Sequence, residues 1–337
     1  MSGWTTFGIG GPARYFLNAT SEQDVFNALD FSKAKQLPVF VLGGGSNLLV
    51  ADRGFNGLVL RIGIKGMSWD NSQVTAAAGE DWDVVVEACV DRKLGGVECL
   101  SGIPGLAGGT PVQNVGAYGQ EIADVLVQVR ALDRSSERVV DLSKEQCGFS
   151  YRTSIFNTTH KERYIVLSIS YALQKDAVPV VKYPDLVRRF ESRSGPVTLS
   201  EVRKAVREIR ASKGMLIVEE DADSRSAGSF FKNPILTEEQ YSRIQDSAGV
   251  PVPRYPADDK KVKTSAAWLI DKAGFGKGFT IGRAGISTKH TLALVNRGGA
   301  SAADIIRLGR EIRSRVEDKF GVRLVPEPVF LGFNEDF

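Results

Sequence analysis

The stretch Ser101-Gly102-Ile103-Pro104-Gly105-Leu106-Ala107-Gly108-Gly109-Thr110-Pro111-Val112-Gln113-Asn114-Val115-Gly116-Ala117-Tyr118-Gly119 follows a helical pattern from Trp82 to Lys93 and is dense in glycine. Without a Cβ in the way, such a backbone can approach a phosphate closely, and successive N–H groups can point at its oxygens. A second loop of this kind lies upstream. The short apolar run Val39 to Leu42, read as a buried strand, empties into Gly43-Gly44-Gly45-Ser46-Asn47-Leu48-Leu49, and a strand-like stretch, Gly57 to Ile62, follows. Two such loops suggest a dinucleotide. Neither fits the common templates: the chain has no G-x-x-x-x-G-K-[ST], and Gly43-x-Gly45-x-x-Leu48 lacks the third glycine of the Rossmann fingerprint. A P-loop kinase or a Rossmann dehydrogenase is therefore disfavoured. Glycine clusters on their own are more often plain turns, so the identification rests on what else the loops contain.

Working outward, Ser21 with Asp24 predicts a helix start, Val25, Ala28 and Leu29 follow at helical spacing, and Pro38 ends that element. Strand-like segments alternate through Val125 to Leu132, Val139 to Leu142 and Tyr164 to Leu173. The Pro-, Arg- and Ser-bearing segment Lys175 to Gly195 is the expected boundary. Beyond it Ser200 is expected to cap a helix with the apolar stripe Val202, Ala205, Val206 and Ile209. A second helix spans about Ser301 to Phe320, with Ser301 and Asp304 as its capping box, Ile305, Leu308, Ile312 and Val316 as its buried stripe, and Gly321 as its stop. The pattern mixes helix and strand without the strict rhythm of a doubly wound sheet, and the expected class is α+β.

At 337 residues the chain can hold two or three domains. The 43 Lys plus Arg against 40 Asp plus Glu leave a net charge of +3, too small and dispersed to argue for nucleic acid as a partner. The apolar runs stop short of the roughly 20 residues of a membrane span. Met1 to Phe7 lacks a charged start and an apolar signal core, so the expectation is a cytoplasmic protein with no membrane association. Cys89, Cys99 and Cys147 form no C-x-x-C pair and read as core thiols. With His160 and His290 the only imidazoles, no metal site is expected.

Phe40 to Leu49 and Ser101 to Gly119 closely resemble the two FAD-pyrophosphate segments of the vanillyl-alcohol-oxidase-type flavin fold. Within that superfamily, Ile103-Pro104-Gly105 with Pro111 to Gly119 is similar to the UDP-N-acetylenolpyruvoylglucosamine reductase family. The resemblance begins at Thr6-Phe7-Gly8-Ile9-Gly10-Gly11 and runs through Tyr151-Arg152-Thr153-Ser154-Ile155-Phe156, Ala227-Gly228-Ser229-Phe230-Phe231-Lys232-Asn233-Pro234 and Ala266-Ala267-Trp268-Leu269-Ile270-Asp271. It closes on Pro326-Glu327-Pro328. Such an ordered series is far more specific than one glycine motif.

The resemblance implies a two-lobed FAD-binding domain over residues 1–195, with lobes of about 1–65 and 66–195. A C-terminal α+β substrate-binding domain would cover 196–337, its last strand returning to the flavin. It further implies non-covalent FAD, NADPH as co-substrate, a UDP-linked enolpyruvyl amino sugar as substrate, one shared cleft worked in ping-pong order, and a monomer or weak oligomer. The cofactor contacts it implies are Gly43, Gly44, Gly45, Ser46, Asn47, Leu48, Ile103, Thr110, Gln113, Asn114, Gly116, Tyr118 and Arg210. The substrate and NADPH contacts are Tyr151, Tyr183, Lys213, Asn233, Tyr255, Lys263 and His290.

Reducing an enolpyruvyl ether needs a hydride at one vinyl carbon, stabilisation of the charge that grows on the carboxylate side, and a proton at the other carbon. Arg152, in the aromatic and β-branched run Phe149 to Phe156, offers a guanidinium that forks onto a carboxylate and stays charged, although on the residues alone a structural salt bridge is the commoner use of such an arginine. Glu327 is stiffened between Pro326 and Pro328, against the reading of a solvated edge-strand glutamate. By resemblance Ser229 is the proton donor, while Arg152 and Glu327 stabilise the enol. Two departures stand out. His290 replaces the Gln of many relatives, which makes its hydrogen bonding pH-sensitive in expectation. The acidic stretch Glu219 to Asp223 after Lys213 is longer than the proline-containing loop of several relatives. An oxygen-using flavin alcohol oxidase of the same superfamily and a non-catalytic nucleotide-binding protein are the competing readings. The first requires a His or Cys near a glycine loop for covalent flavin, and neither loop contains one.

Overall fold

The computed structural model describes residues 1–257, 260–334 and 337. The chain divides into two compact units: a sheet unit of residues 13–44 and 56–212, and a composite unit of residues 1–12, 45–55 and 213–337. Among the described residues no helix is long and apolar enough to cross a membrane. Among the described residues, helices are mixed with seven separate sheets, an α+β architecture, as expected.

In the sheet unit, Ala13–Ala19, Phe55–Ile62 and Val39–Leu42 form a three-stranded sheet in that order. The last two run parallel, Val39 opposite Leu58 and Leu42 opposite Arg61. The helix Glu22–Ala34 joins the outer strands, starts on the Ser21–Asp24 capping box and turns Val25 and Ala28 inward. A five-stranded antiparallel sheet follows, ordered Arg138–Ser143, Leu126–Asp133, Tyr164–Ala172, Gln73–Ala77, Met67–Asp70. The helix Trp82–Asp91, capped by Asp81, presents Trp82, Val85, Val86, Cys89 and Val90 to the same apolar core. Trp82 also pins the second glycine loop, because its backbone N–H donates to Gly105 at 3.0 Å and its indole to the carbonyl of Leu100 at 3.2 Å. Ala107 and Gly108 donate to Glu80 and Ala78 at 2.8 and 2.9 Å, so the loop is stitched down along one edge. All three cysteines are free and buried, and burial pushes each thiol up to about 12.

The composite unit gathers three distant stretches of chain. Leu48–Val50 pairs in parallel with Val329–Leu331, Val329 opposite Leu48. The helix Ala302–Phe320 starts on the Ser301–Asp304 capping box and ends on Gly321, as expected, with Ile305, Leu308, Ile312 and Val316 buried. Asp52 adds a second cap from outside the helix, accepting from Ala302 and Ala303 at 2.8 and 3.1 Å. Residues 1–12 are drawn in through Phe7, which is fully buried, through Thr6 Oγ1 donating to Ser226, and through Asn296 Nδ2 donating to the carbonyl of Phe7 at 3.0 Å.

One local expectation changes. The helix Leu199–Ser212 is capped by Thr198, not Ser200: Thr198 Oγ1 accepts from the N–H of Glu201 while Glu201 Oε2 accepts from that of Thr198 at 2.9 Å. The segment Lys175 to Gly195 contains a helix, Pro184–Phe190, whose Leu186 packs with Val202, Ala205 and Val206 of the following helix. The change of unit falls later, between Ser212 and Lys213.

Asn296 is a buried hub, since its Oδ1 also accepts from Gly298 and Ala300 at 2.9 and 3.0 Å. Asn296→Ala strips partners from one carbonyl and two N–H groups. It should lower unfolding free energy by about 3 kcal/mol, at roughly 1 kcal/mol for each orphaned group. A urea titration reads this as a lower midpoint at unchanged slope, with earlier proteolysis within residues 1–12; a wild-type midpoint would contradict it.

Candidate functional site

The sheet unit carries most of the expected cofactor residues, and its two glycine loops meet backbone to backbone. A Cβ on Gly44 would stand 2.6 Å from Cα of Gly105, closer than any side chain tolerates, whereas Gly43 and Gly109 face open space. Glycines that face open space leave room for an anionic diphosphate to approach the backbone closely. Burial withdraws some expected contacts into the fold. The Thr110 hydroxyl donates to Ala107 and bonds the Tyr171 hydroxyl at 2.9 Å, and Ile103 packs on the core. The Thr110 backbone is committed too, its N–H donating to Ala107 and its carbonyl accepting from Val115, each at 3.0 Å.

Asn114 holds the loop to the turn that carries Arg152. It is buried at a left-handed φ of 46°, a conformation asparagine tolerates. Its Nδ2 donates to Glu121 Oε2 at 2.8 Å and to the carbonyl of Ser150 at 3.3 Å, while its Oδ1 accepts from Ala123. Ser150 and Thr153 exchange two backbone bonds around Tyr151-Arg152, and Arg152 sits at φ 55°. Its Nη2 donates to the carbonyl of Gly116 at 2.8 Å, and its guanidinium lies 5.6 Å from the Tyr151 ring centre. Gly116 is buried, with no room for a Cβ beside Glu121. Gln113 is half-buried between these contacts.

Tyr118, at φ 51°, meets the Tyr183 ring edge-on at 5.1 Å. Tyr183 is the residue before the helix Pro184–Phe190 and is 40% exposed. Arg210 donates from Nε to the carbonyl of Gly102 at 3.0 Å and reaches the Tyr118 oxygen. Burial pushes the Tyr118 phenol up to about 12 and, for the same reason, lowers the Arg210 guanidinium from its ordinary value. A cation set in so little water is worth more to an incoming phosphate than an exposed one.

In the composite unit, Ser229 and Glu327 come together. Glu327 donates its N–H to the carbonyl of Phe230 at 2.9 Å, and Phe231 pairs with Pro326. Ser229 is half-buried, between left-handed Gly228 and the fully buried rings of Phe230 and Phe231. Gly45 is as constrained as Gly44, since its Cβ would lie 1.8 Å from the carbonyl oxygen of Trp4. Asn47 Nδ2 donates to the carbonyl of Glu327 at 3.2 Å, Thr6 Oγ1 approaches the carbonyl of Ser46, and Leu48 is a buried strand residue.

Tyr255 and Lys263 are cross-strand partners, with Ile235 on the other side of Lys263. Asn233 is nearby in the chain, but its Oδ1 accepts from Ala266 at the start of the helix Ala266–Lys272. His290 lies under the influence of Lys213. Burial first, then the charges of Lys213 and Lys277, lower the imidazole to about 4. His290 is therefore neutral near pH 7. The acidic stretch after Lys213 is folded in: Asp221 binds Lys289, and buried Asp223 binds Arg297 and Thr288. Lys277, Arg297 and Asp83 were not marked by any pattern in the sequence.

Two family profiles match the chain. One is the FAD binding domain, over residues 13–143; the other is the UDP-N-acetylenolpyruvoylglucosamine reductase C-terminal domain, over residues 220–331. The reductase of that name from Thermobifida fusca is 45% identical, with 98% of this chain and 96% of the relative covered. The one from Streptomyces coelicolor is 47% identical, with 97% and 88% covered. The crystal structure of the reductase from Thermus caldophilus matches with a TM-score of 0.66 at 27% identity, covering 98% of this chain and 96% of that one. The flavin-binding fold expected from the glycine loops holds, and the chain belongs to the UDP-N-acetylenolpyruvoylglucosamine reductase family.

Proposed function

We propose that this protein is the FAD-containing, NADPH-dependent enzyme that reduces UDP-N-acetylglucosamine enolpyruvate to UDP-N-acetylmuramate for peptidoglycan synthesis. The observation that carries the reading is the approach of Gly44 on Gly105, which leaves a side-chain-free cradle within a family-matched FAD-binding domain. Bound there, FAD supplies the hydride equivalent that it takes from NADPH.

The chain's own residues divide the remaining work. Gly43, Gly44, Gly45, Ser46, Asn47, Gln113, Gly116 and Tyr118 would hold FAD, with Arg210 as a cation for its diphosphate. Arg152 forks onto the substrate carboxylate and, with Glu327, stabilises the charge that accumulates there once the vinyl carbon is reduced. Ser229 donates its hydroxyl proton to the adjacent carbon, completing the addition of a hydride and a proton across the double bond. Tyr151, Tyr183, Lys213, Asn233, Tyr255, Lys263 and neutral His290 hold the uridine diphosphate and, in turn, NADPH. The functional division is proposed at residues 1–195 and 196–337, the working state as a monomer or weak oligomer, and the compartment as the cytosol, where nucleotide sugars and NADPH are found.

Purified protein should be yellow with flavin released by denaturation, and should oxidise NADPH only when the enolpyruvyl sugar is present. A colourless protein that binds no added FAD refutes the reading, and substrate-independent oxygen uptake with an alcohol favours an oxidase instead. In stopped flow, Ser229→Ala should leave flavin reduction by NADPH within about twofold of wild type while slowing reoxidation by the sugar by ~10²–10⁴. Equal losses in both half-reactions would remove Ser229 from the proton-donor role.

His290 gives a pH prediction of definite sign. Its folded-state value of about 4 lies below the ordinary 6.5, so the folded protein binds fewer protons than the unfolded chain between them. The stability it contributes is complete above pH 6.5 and is lost as pH falls towards 4. His290→Gln should flatten the fall in thermal midpoint across that window, and should leave the activity profile above pH 6.5 unchanged in shape; an unaltered acid limb would count against a neutral buried imidazole.

A further inference from the structure

In the sheet unit the carboxylate of Asp83, in the first turn of the helix Trp82–Asp91, joins that helix to the second glycine loop and to the helix Leu199–Ser212. Its Oδ1 accepts the N–H of Gly102 at 2.6 Å and Arg203 Nη1 at 2.5 Å. Its Oδ2 accepts Arg203 Nη2 at 3.1 Å and a further bond from Arg207 Nη1. The contact with Arg203 is the two-pronged form that fixes both groups in rotation as well as distance. Helix capping does not account for Asp83, because Asp81 already caps this helix by accepting from Asp83 and Val84.

Arg203, Arg207 and Arg210 follow one another at spacings of four and three, so they share one face of the helix Leu199–Ser212. The first two bind Asp83, and the third donates to the carbonyl of Gly102. Gly102, at φ 70°, is thus gripped from both sides, its N–H by Asp83 and its carbonyl by Arg210. Burial raises the Asp83 carboxyl, but the hydrogen bonds from Arg203 and Gly102 and the charges of Arg203 and Arg207 outweigh it, so the group is held below the usual carboxylate range. One carboxylate absorbs two guanidiniums and leaves the third to face the loop.

We propose that Asp83 is a positioning residue for FAD: it holds the start of the pyrophosphate loop in its binding conformation before the cofactor arrives, and sets the register that brings Arg210 to that loop. This rests on the reading of residues 101–119 as the FAD-pyrophosphate segment. A preformed loop gives tighter binding because its ordering is not charged against the cofactor.

Asp83→Asn keeps the volume and one acceptor but removes the charge. Titration of the apoprotein with FAD, followed by flavin fluorescence, should show Kd raised at least about tenfold, with an unchanged far-ultraviolet circular dichroism spectrum. With FAD in excess, kcat should return to within about threefold of wild type, a split between cofactor affinity and turnover that a general loss of fold would not produce. Gly44→Val is the companion variant. If it abolishes FAD binding while Asp83→Asn binds as wild type does, the loop reading stands and the proposal is overturned. If Gly44→Val itself binds FAD normally, the loop reading fails and the proposal with it. Should Asp83→Asn not fold, residue-resolved amide exchange of the wild-type apoprotein decides: a protected Gly102 N–H supports the proposal, and an unprotected one overturns it.

Discussion

A tight constraint in the sheet unit is the contact of main chain with main chain where Gly44 faces Gly105. A side chain at position 44 has no room there, and the two loops that meet are far apart in sequence. Everything that aims the loops serves that contact. The strand Val39–Leu42, held in parallel to residues 58–61, delivers the first loop at a fixed height. The second is anchored by Trp82, whose N–H takes Gly105 itself while its indole takes Leu100. A ring buried to this extent contributes on the order of 3–5 kcal/mol against truncation. The loop is therefore rigid for a global reason: moving Gly105 means moving a core tryptophan.

The first loop is also where the compact units part, between Gly44 and Gly45. On one side its glycine is fixed against Gly105, on the other against the carbonyl of Trp4. Residues 45–55 go on to supply a strand partner for Val329–Leu331 and a cap, Asp52, for the helix Ala302–Phe320. The same eleven-residue excursion that carries proposed cofactor contacts thus supports the strand that follows Glu327 and, through Asn47, the backbone of Glu327 itself. A substitution in this segment would disturb the proposed cofactor contacts and the backbone of Glu327 together, so its effects would not partition neatly between them.

Signals that act within one turn of chain were legible in the sequence. Ser21 with Asp24 and Ser301 with Asp304 are capping boxes in fact, and the apolar stripe of the last long helix is the buried one. The expected cap at Ser200 slipped by two residues because Thr198 and Glu201 form the same reciprocal pair as a capping box, and hydroxyls at both 198 and 200 blur which one leads. What stayed hidden is set by contacts across hundreds of residues: Thr6 with Ser226, Asn296 with Phe7, and Leu48 with Val329. No periodicity encodes such pairings. Asp83 was equally silent, since an acidic residue in a first helical turn is ordinary for reasons of dipole alone. The proposed catalytic trio was visible only as part of an ordered family pattern, because a serine, an arginine and a glutamate have many commoner uses.

Arg152 shows how much local backbone is committed to aim. An arginine gains nothing from the left-handed region, and holding φ at 55° costs about 1–2 kcal/mol. The turn is over-determined: Ser150 and Thr153 close it with two backbone bonds, Asn157 Nδ2 donates to the carbonyl of Arg152, and Asn114 donates to that of Ser150. Asn114 is itself left-handed and buried, with Nδ2 and Oδ1 both committed inside the fold. Strain of this kind persists when the surroundings leave no alternative, and the guanidinium it aims ends on the Gly116 carbonyl, at the far end of the loop that Trp82 anchors. Position of the cation and conformation of the loop are therefore one property of the sheet unit, and a relaxed arginine at 152 would require a different loop.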